Sequence, residues 1–126
     1  MEQKAWIIDE KTAKQYLTVE DAIDCVEKTW KWYGEGRVIM PNKITTDMSG
    51  MGIPGWFNAM PAYIAPMDVA GIKVVGGYDG NKALGLPYIK ANLLVTDSRT
   101  GVLRALIARR QNFTWISVRL HEMPPQ

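Results

Sequence analysis

The spacing of apolar residues changes once along this chain, and that change most limits the folds it can adopt. Between residues 19 and 33, apolar side chains recur every three or four positions, at Val19, Ala22, Ile23, Val26, Trp30 and Tyr33. This spacing predicts one amphipathic helix over residues 19–33. Thr18 is placed to cap the helix with Asp21 in its first turn, and Gly34 and Gly36 are expected to end it.

After Gly36, short segments rich in Val, Ile, Thr and aromatic residues alternate with Pro and Gly, which predicts strands. The predicted strands cover residues 6–9, 38–45, 56–64, 71–77, 88–97 and 102–108. Within the segment 88–97, Ile89, Ala91, Leu93 and Val95 alternate with more polar residues, so one face of that strand is expected to be buried. The chain is predicted to be α+β, with a mixed or antiparallel curved sheet of about six strands packed on one long N-terminal helix.

The composition of the 126 residues excludes several classes of protein. Hydrophobic residues make up 47% and charged residues 22%, as in an ordinary single domain, and a net charge of +2 predicts no nucleic-acid partner. Cys25 is the single cysteine and His121 the single histidine, so neither an intramolecular disulfide nor a zinc site is expected. No apolar run approaches the roughly 20 residues of a membrane span. We therefore expect a cytoplasmic protein with no membrane partner and no bound metal.

Residues 50–55 read Gly-Met-Gly-Ile-Pro-Gly and match the spacing of a dinucleotide-binding loop. That loop requires a buried strand before it and a helix after it. Here the preceding residues 43–49 are polar, and the following segment is strand-like and contains Pro61. The six residues are predicted to be a turn between strands, and no cofactor site is expected in this chain.

Seven short segments occur in an order that resembles a known family. They are Leu-Thr-Val-Glu-Asp-Ala-Ile at 17–23, Met-Pro-Asn-Lys at 40–43, Met-Pro-Ala-Tyr-Ile at 60–64, Ala-Gly-Ile-Lys-Val-Val-Gly-Gly at 70–77, Gly-Asn at 80–81, Gly-Leu-Pro-Tyr at 85–88 and Asp-Ser-Arg-Thr-Gly at 97–101. Over about residues 16–107 the chain resembles the N-terminal half of the ornithine cyclodeaminase and mu-crystallin family.

The resemblance implies the substrate-binding and dimerisation half of a two-domain enzyme, in which a Rossmann domain binding NAD(P) follows. Family members act on small amino or imino acids as cyclodeaminases, dehydrogenases or ketimine reductases. We expect the Rossmann domain to be absent from this chain, which is then a single domain over residues 1–126. A homodimer is the partner implied, with a small carboxylate as a possible ligand.

The resemblance also assigns site residues. Lys73 matches the family lysine that contacts the substrate carboxylate, although alternation between Ile72 and Val74 equally allows a solvent-facing lysine. Lys43 stands where most members have an arginine, and an ammonium lacks the bidentate geometry of a guanidinium. Asn58 stands where the cyclodeaminases have a catalytic carboxylate, and an amide cannot transfer a proton at neutral pH.

Two further residues complete the implied substrate site. Met60 belongs to it by resemblance alone. Asn81 follows the lysine strand in a loop and is equally consistent with an ordinary turn residue. No catalytic residue is assigned in this chain, and the loss of the acid at Asn58 disfavours ornithine cyclisation.

Three functions remain open at this stage. The first is a dimeric stand-alone relative of the family's substrate domain that binds a small amino or keto acid without redox activity. The second is a fragment of an NAD(P)-dependent oxidoreductase or cyclodeaminase that is active only with its Rossmann half. The third is a structural interaction module, because five tryptophans in a small domain indicate an apolar surface that needs a partner. Residues 108–126 depart from the family pattern, and alternation predicts one more strand over residues 113–120.

Overall fold

The computed structural model describes residues 4–109, which contain two α-helices and seven strands. The helices are α1 (Glu10–Tyr16) and α2 (Val19–Gly34). The strands are β1 (Trp6–Ile8), β2 (Val38–Ile39), β3 (Ile44–Asp47), β4 (Gly55–Ile64), β5 (Val69–Tyr78), β6 (Ile89–Thr96) and β7 (Leu103–Arg109). The predicted α+β class is confirmed, whereas residues 110–126, with the strand predicted over 113–120, lie outside the described residues.

The strands form one mixed sheet in the order β1-β7-β6-β5-β4-β2, with β3 also paired to β4. Only β1 and β7 run parallel within this sheet, and the remaining pairs are antiparallel. The single strand predicted over residues 38–45 is two strands, because residues 40–43 leave the sheet between β2 and β3. Pro41 lies in this break and has no N–H to donate to a neighbouring strand.

Helix α2 confirms the predicted helix and its cap. The hydroxyl of Thr18 accepts the backbone N–H of Asp21, and the carboxylate of Asp21 accepts the N–H of Thr18, which completes a capping box. The buried residues of α2 are Ala22 and Cys25. The helix therefore packs through its small residues, and most of its larger apolar side chains remain exposed.

Helix α1 was not predicted from the sequence. The carboxylate of Asp9 caps it by accepting the N–H of Thr12 at 2.8 Å, and Ala13 is its one buried residue. A helix of two turns with a single buried position has too short a repeat to be recognised by apolar spacing.

One face of the sheet, here called the covered face, carries the core and both helices. Leu93 and Ile107 are opposite each other on β6 and β7, and both are buried with Ala13 and Leu17 from the α1 region. The predicted alternation of β6 is confirmed at Ala91, Leu93 and Val95, which are buried, while Ile89 at the start of the strand is partly buried. Further along the same face, Cys25 of α2 packs with Ile64, Trp32, Val38 and Met67.

The opposite face, here called the open face, has no helix on it within residues 4–109. The register aligns one apolar residue from each of five strands across it, namely Pro61, Ile72, Leu94, Leu106 and Ile7. Ile7 is 84% exposed and Leu106 is 39% exposed. Neither α1 nor α2 is long and apolar enough to cross a membrane.

Candidate functional site

Lys73 lies at the centre of β5 on the covered face. It is opposite Met60 on β4 and Leu93 on β6, and Leu93 is opposite Ile107 on β7. Its side chain is half-buried, whereas the neighbouring Val74 on the open face is 38% exposed. The solvent-facing orientation that alternation allowed for Lys73 is therefore not adopted.

Burial has an electrostatic consequence for this lysine. Loss of hydration lowers the pKa of the Lys73 ammonium below its ordinary value, because the charged form is the one that burial destabilises. A bound carboxylate would offset that cost by supplying an opposite charge. An ammonium on the wall of an apolar core is chemically suited to hold an anion.

Asn58 lies beside Lys73 on the same face. Residues 58 and 60 alternate along β4, so Asn58 is the diagonal neighbour of Lys73, and it is opposite Thr45 of β3. Asn58 is 7% exposed, and its Oδ1 accepts the hydroxyl of Thr45 at 2.6 Å. Within residues 4–109 its Nδ2 forms no hydrogen bond, so this donor is available to a ligand oxygen.

Thr45 was not singled out from the sequence. Its hydroxyl occupies the carbonyl side of the Asn58 amide and thereby orients the amide nitrogen. The signal that could have identified it is the register between β3 and β4, which a single sequence does not specify.

Lys43 comes directly before β3, in the break after β2. Continuing the register of β3 by one residue places Lys43 opposite Met60, in the cross-strand row that contains Lys73. Its side chain is exposed. The structure therefore places both lysines near Met60 but buries only Lys73.

A cavity of about 50 Å³ opens on this row and is lined by Met60, Lys73 and Leu93, with neighbours on β4, β5 and β6. Sites that enclose a small ligand measure roughly 300 Å³ or more. The cavity is therefore large enough for a carboxylate group and too small for a whole substrate.

Asn81 is not brought to this row. It lies in the 3-10 turn Asp79–Leu84, where its Nδ2 donates to the carbonyl of Pro87 at 2.8 Å and its carbonyl accepts the N–H of Leu86. These bonds hold the loop between β5 and β6. A turn-forming role accounts for Asn81, and its place in a substrate site remains a prediction.

Asp68 forms a polar cluster that sequence reasoning missed, at the opposite end of β5. Its carboxylate accepts Ser98 Oγ at 2.6 Å, Arg99 Nη1 at 2.6 Å and Tyr63 Oη at 2.9 Å. These donors, Ser98 first, lower the pKa of Asp68 to about 2. The cluster joins two turns of the sheet, and a carboxylate already satisfied by three donors has a structural role.

Residues 50–55 do not have the context of a dinucleotide-binding loop. Residues 50–54 belong to the connection between β3 and β4, which includes the 3-10 turn Ser49–Met51, and Gly55 begins β4. Gly52 has a φ of 82°, as a tight turn requires. The predicted turn is confirmed, since neither the preceding buried parallel strand nor the following α-helix of a nucleotide-binding loop is present here. Residues 4–109 also contain no group of three or more His, Cys, Asp or Glu side chains able to hold a metal.

Comparison with known proteins then decides the family. The sequence profile of the ornithine cyclodeaminase/mu-crystallin family matches residues 4–112. The chain belongs to this family. The resemblance found in the short segments of the sequence is thus confirmed over most of the chain.

Individual members of the ornithine cyclodeaminase/mu-crystallin family show the same relationship. Alanine dehydrogenase of Archaeoglobus fulgidus is 28% identical over 95 residues, which are 75% of this chain and 28% of that protein. An archaeal alanine dehydrogenase dimer with bound NAD superposes with a TM-score of 0.76 and 26% identity, over 84% of this chain and 31% of that one. The chain spans less than a third of the length of these relatives.

The fold also recurs in a solved structure of lower sequence identity. The Δ1-pyrroline-2-carboxylate reductase of Thermococcus litoralis, solved with NADH and L-proline, superposes with a TM-score of 0.76 at 23% identity. This match covers 82% of this chain and 31% of the reductase. At this identity the likeness establishes the shared fold.

Proposed function

We propose that residues 4–109 form a substrate-binding and dimerisation unit that holds a small amino or keto acid by its carboxylate and performs no hydride transfer by itself. The observation that carries this proposal is the half-buried ammonium of Lys73 next to the buried amide of Asn58 on the covered face. The ammonium supplies charge, and the Nδ2 of Asn58 supplies a directed hydrogen bond. Lys43, at the exposed end of the same row, adds long-range attraction.

Asn58 also disfavours one class of reaction, cyclodeamination. An amide can orient a ligand but cannot exchange a proton near pH 7, so the position offers no acid or base for cyclodeamination. The relatives support a ligand from among the amino and imino acids, since they include an alanine dehydrogenase and a reductase solved with L-proline. We infer a ligand of that size class for this chain.

Carboxylate binding is tested by following the Met60 methyl group by NMR while the 126-residue chain is titrated with L-alanine, pyruvate or L-proline. L-alaninamide, which lacks the carboxylate, is the matched ligand control. We expect the carboxylates to shift the Met60 signal and Lys73→Met to weaken binding at least about tenfold, because a charge-assisted hydrogen bond contributes about 1.5–3 kcal/mol.

The matched protein control is Lys90→Met, which removes the same charge from an exposed position on β6. Binding unchanged in Lys73→Met, or equal shifts with L-alaninamide, would show that Lys73 holds no carboxylate.

The dimerisation half of the proposal rests on the open face. An open groove of about 400 Å³ crosses it, lined by Ile39, Pro61, Tyr63, Ile72 and Leu94 among others. A contiguous apolar patch on a sheet with no covering layer marks a contact surface. One structural relative, the archaeal alanine dehydrogenase, is a dimer, which supports a second copy as the occupant here.

This surface is tested by Leu94→Glu, with Gln15→Glu on the exposed side of α1 as control. We expect a dimer whose dissociation constant rises at least about 100-fold in Leu94→Glu, because an unpaired charge in an interface costs on the order of 3 kcal/mol. Analytical ultracentrifugation measures the change. A monomeric wild-type chain at micromolar concentration would refute the dimer.

A second candidate function is favoured by the small part of the relatives' length, less than a third, that this chain spans. Because the matched chains are about three times longer and one carries NAD, this chain can act as half of an NAD-dependent oxidoreductase when a Rossmann half is supplied. The candidates are separated by adding NADH, an imino acid and the separately produced Rossmann half of a relative to the 126-residue chain. Hydride transfer in this mixture would support the second candidate, and its absence would contradict it. Submicromolar NADH binding by the 126 residues alone would contradict both candidates.

A further inference from the structure

Helix α2 carries an apolar seam that the sheet does not cover. Val19, Ile23, Val26, Trp30 and Tyr33 are separated by four, three, four and three residues. Val19, Ile23, Trp30 and Tyr33 are 68%, 60%, 61% and 45% exposed, and Val26 is half-buried. At 1.5 Å per residue the seam is about 21 Å long. This repeat is the one by which two helices pack in a coiled coil.

The seam is ordered by contacts of the helix with itself and with the sheet. Trp30 and Tyr33 stack edge to face with ring centroids 5.6 Å apart. On the other side of the helix, Cys25 and Trp32 pack against Ile64 of β4. Helix α2 is thus held in place by one side while the seam points away from the sheet.

Each seam residue is followed in the sequence by a residue that lies beside the seam, on the side of α2 away from the sheet. At the first three positions these residues are Glu20, Asp24 and Glu27, all exposed, and Lys31 is the fourth. None of the three carboxylates forms an ion pair within residues 4–109. The seam therefore has an acidic border along most of its length.

We propose that the α2 seam is the docking site of an amphipathic helix of a separate protein, whose own apolar seam is bordered by lysine or arginine. Opposite charges at the borders of packed helices select the partner. This proposal is independent of the carboxylate site and of the open face, since α2 contributes to neither.

A second copy of α2 fits the seam poorly. Antiparallel pairing of two such helices brings the acidic borders Glu20 and Glu27 of both against each other. Parallel pairing places Glu27 of one copy beside Ala22 of the other, which supplies no positive charge. The acidic border likewise disfavours an anionic membrane surface, which attracts basic helices.

The test uses the 126-residue chain and two synthetic three-heptad peptides that share Leu and Ile at the seam positions. One carries Lys at the border positions and the other carries Glu. Both lack tryptophan, so binding is followed by the change in the chain's own tryptophan fluorescence, to which Trp30 on the seam contributes. We expect the Lys peptide to bind about tenfold more tightly than the Glu peptide, and the double variant Glu20→Lys/Glu27→Lys to reverse that preference.

Two further measurements decide the outcome. Ile23→Lys places a charge in the seam and should abolish binding of the Lys peptide, whereas Gln15→Lys on α1 should leave it unchanged, with circular dichroism confirming that both variants fold. Equal affinity for the two peptides, or no binding of either, would overturn the proposal. So would a wild-type dimer that Ile23→Lys converts to a monomer, or binding to vesicles of phosphatidylcholine and phosphatidylglycerol that Ile23→Lys abolishes.

Discussion

The two faces of the sheet combine burial and polarity in opposite ways. The covered face holds the polar pair Lys73 and Asn58, whereas the open face carries no helix within residues 4–109 and is apolar along the row from Pro61 to Ile7. In an isolated antiparallel domain the uncovered face is usually the polar one. The inversion supports the proposal that the polar pair serves a ligand and that the apolar row serves a contact with another protein surface.

The largest expected effect is a difference in stability between alanine substitutions at two adjacent leucines, one on each face of the sheet. Leu93 is 4% exposed on the covered face, and Leu94 is half-buried on the open face. We expect Leu93→Ala to lower the free energy of unfolding by about 2–4 kcal/mol, because it leaves a cavity in the core. Leu94→Ala should cost about 1 kcal/mol in the monomer, where the side chain retains contact with water.

Urea denaturation over a range of protein concentrations measures the free energy of unfolding of both variants. If Leu94→Ala costs as much as Leu93→Ala in dilute protein, where no dimer forms, the open face is covered within one chain and the comparison fails. A loss of unfolding free energy in Leu94→Ala that grows with protein concentration would strengthen the comparison, since it would show that association buries the open face.

A smaller effect concerns Lys73 at alkaline pH. Burial lowers the pKa of this lysine in the folded protein, so between the lowered value and the ordinary value the unfolded chain binds more protons. The free energy of unfolding should therefore rise with pH across that window. Lys73→Met should remove this rise and Lys90→Met should keep it, as measured by denaturation at a series of pH values.

The smallest effect belongs to Asp68, which lies at the end of the sheet and on neither face. Because Ser98, Arg99 and Tyr63 lower its pKa from 3.8 to about 2, the stabilisation by this carboxylate is present above the ordinary value. This stabilisation is lost as the pH falls through the lowered pKa of Asp68. Asp68→Asn should weaken the acid dependence of unfolding in this range, while Asp24→Asn on α2 should leave it intact. An unchanged acid profile in Asp68→Asn would show that solvent screens the cluster.

Local patterns determined much of the fold. The spacing of α2, its Thr18 cap and the alternation of β6 depend on neighbouring residues in the chain, and each was predicted correctly. The turn between β6 and β7 likewise depends on a local residue, since Gly101 has a φ of 74°, a conformation that glycine adopts readily. Helix α1 was missed because a single buried alanine leaves no periodic signal.

For the candidate site, the sequence determined which residue types are available, and the resemblance selected Lys73, Asn58 and Met60. Only the tertiary structure placed them on one face, since cross-strand register brings together residues far apart in the chain and alternation does not say which face a helix will cover. The same limit applies to α2. Its apolar residues are fixed by the sequence, yet the packing of Cys25 and Trp32 on the sheet decided that the seam would face outwards. A helix surface is buried by its neighbours, and those are chosen by the whole chain.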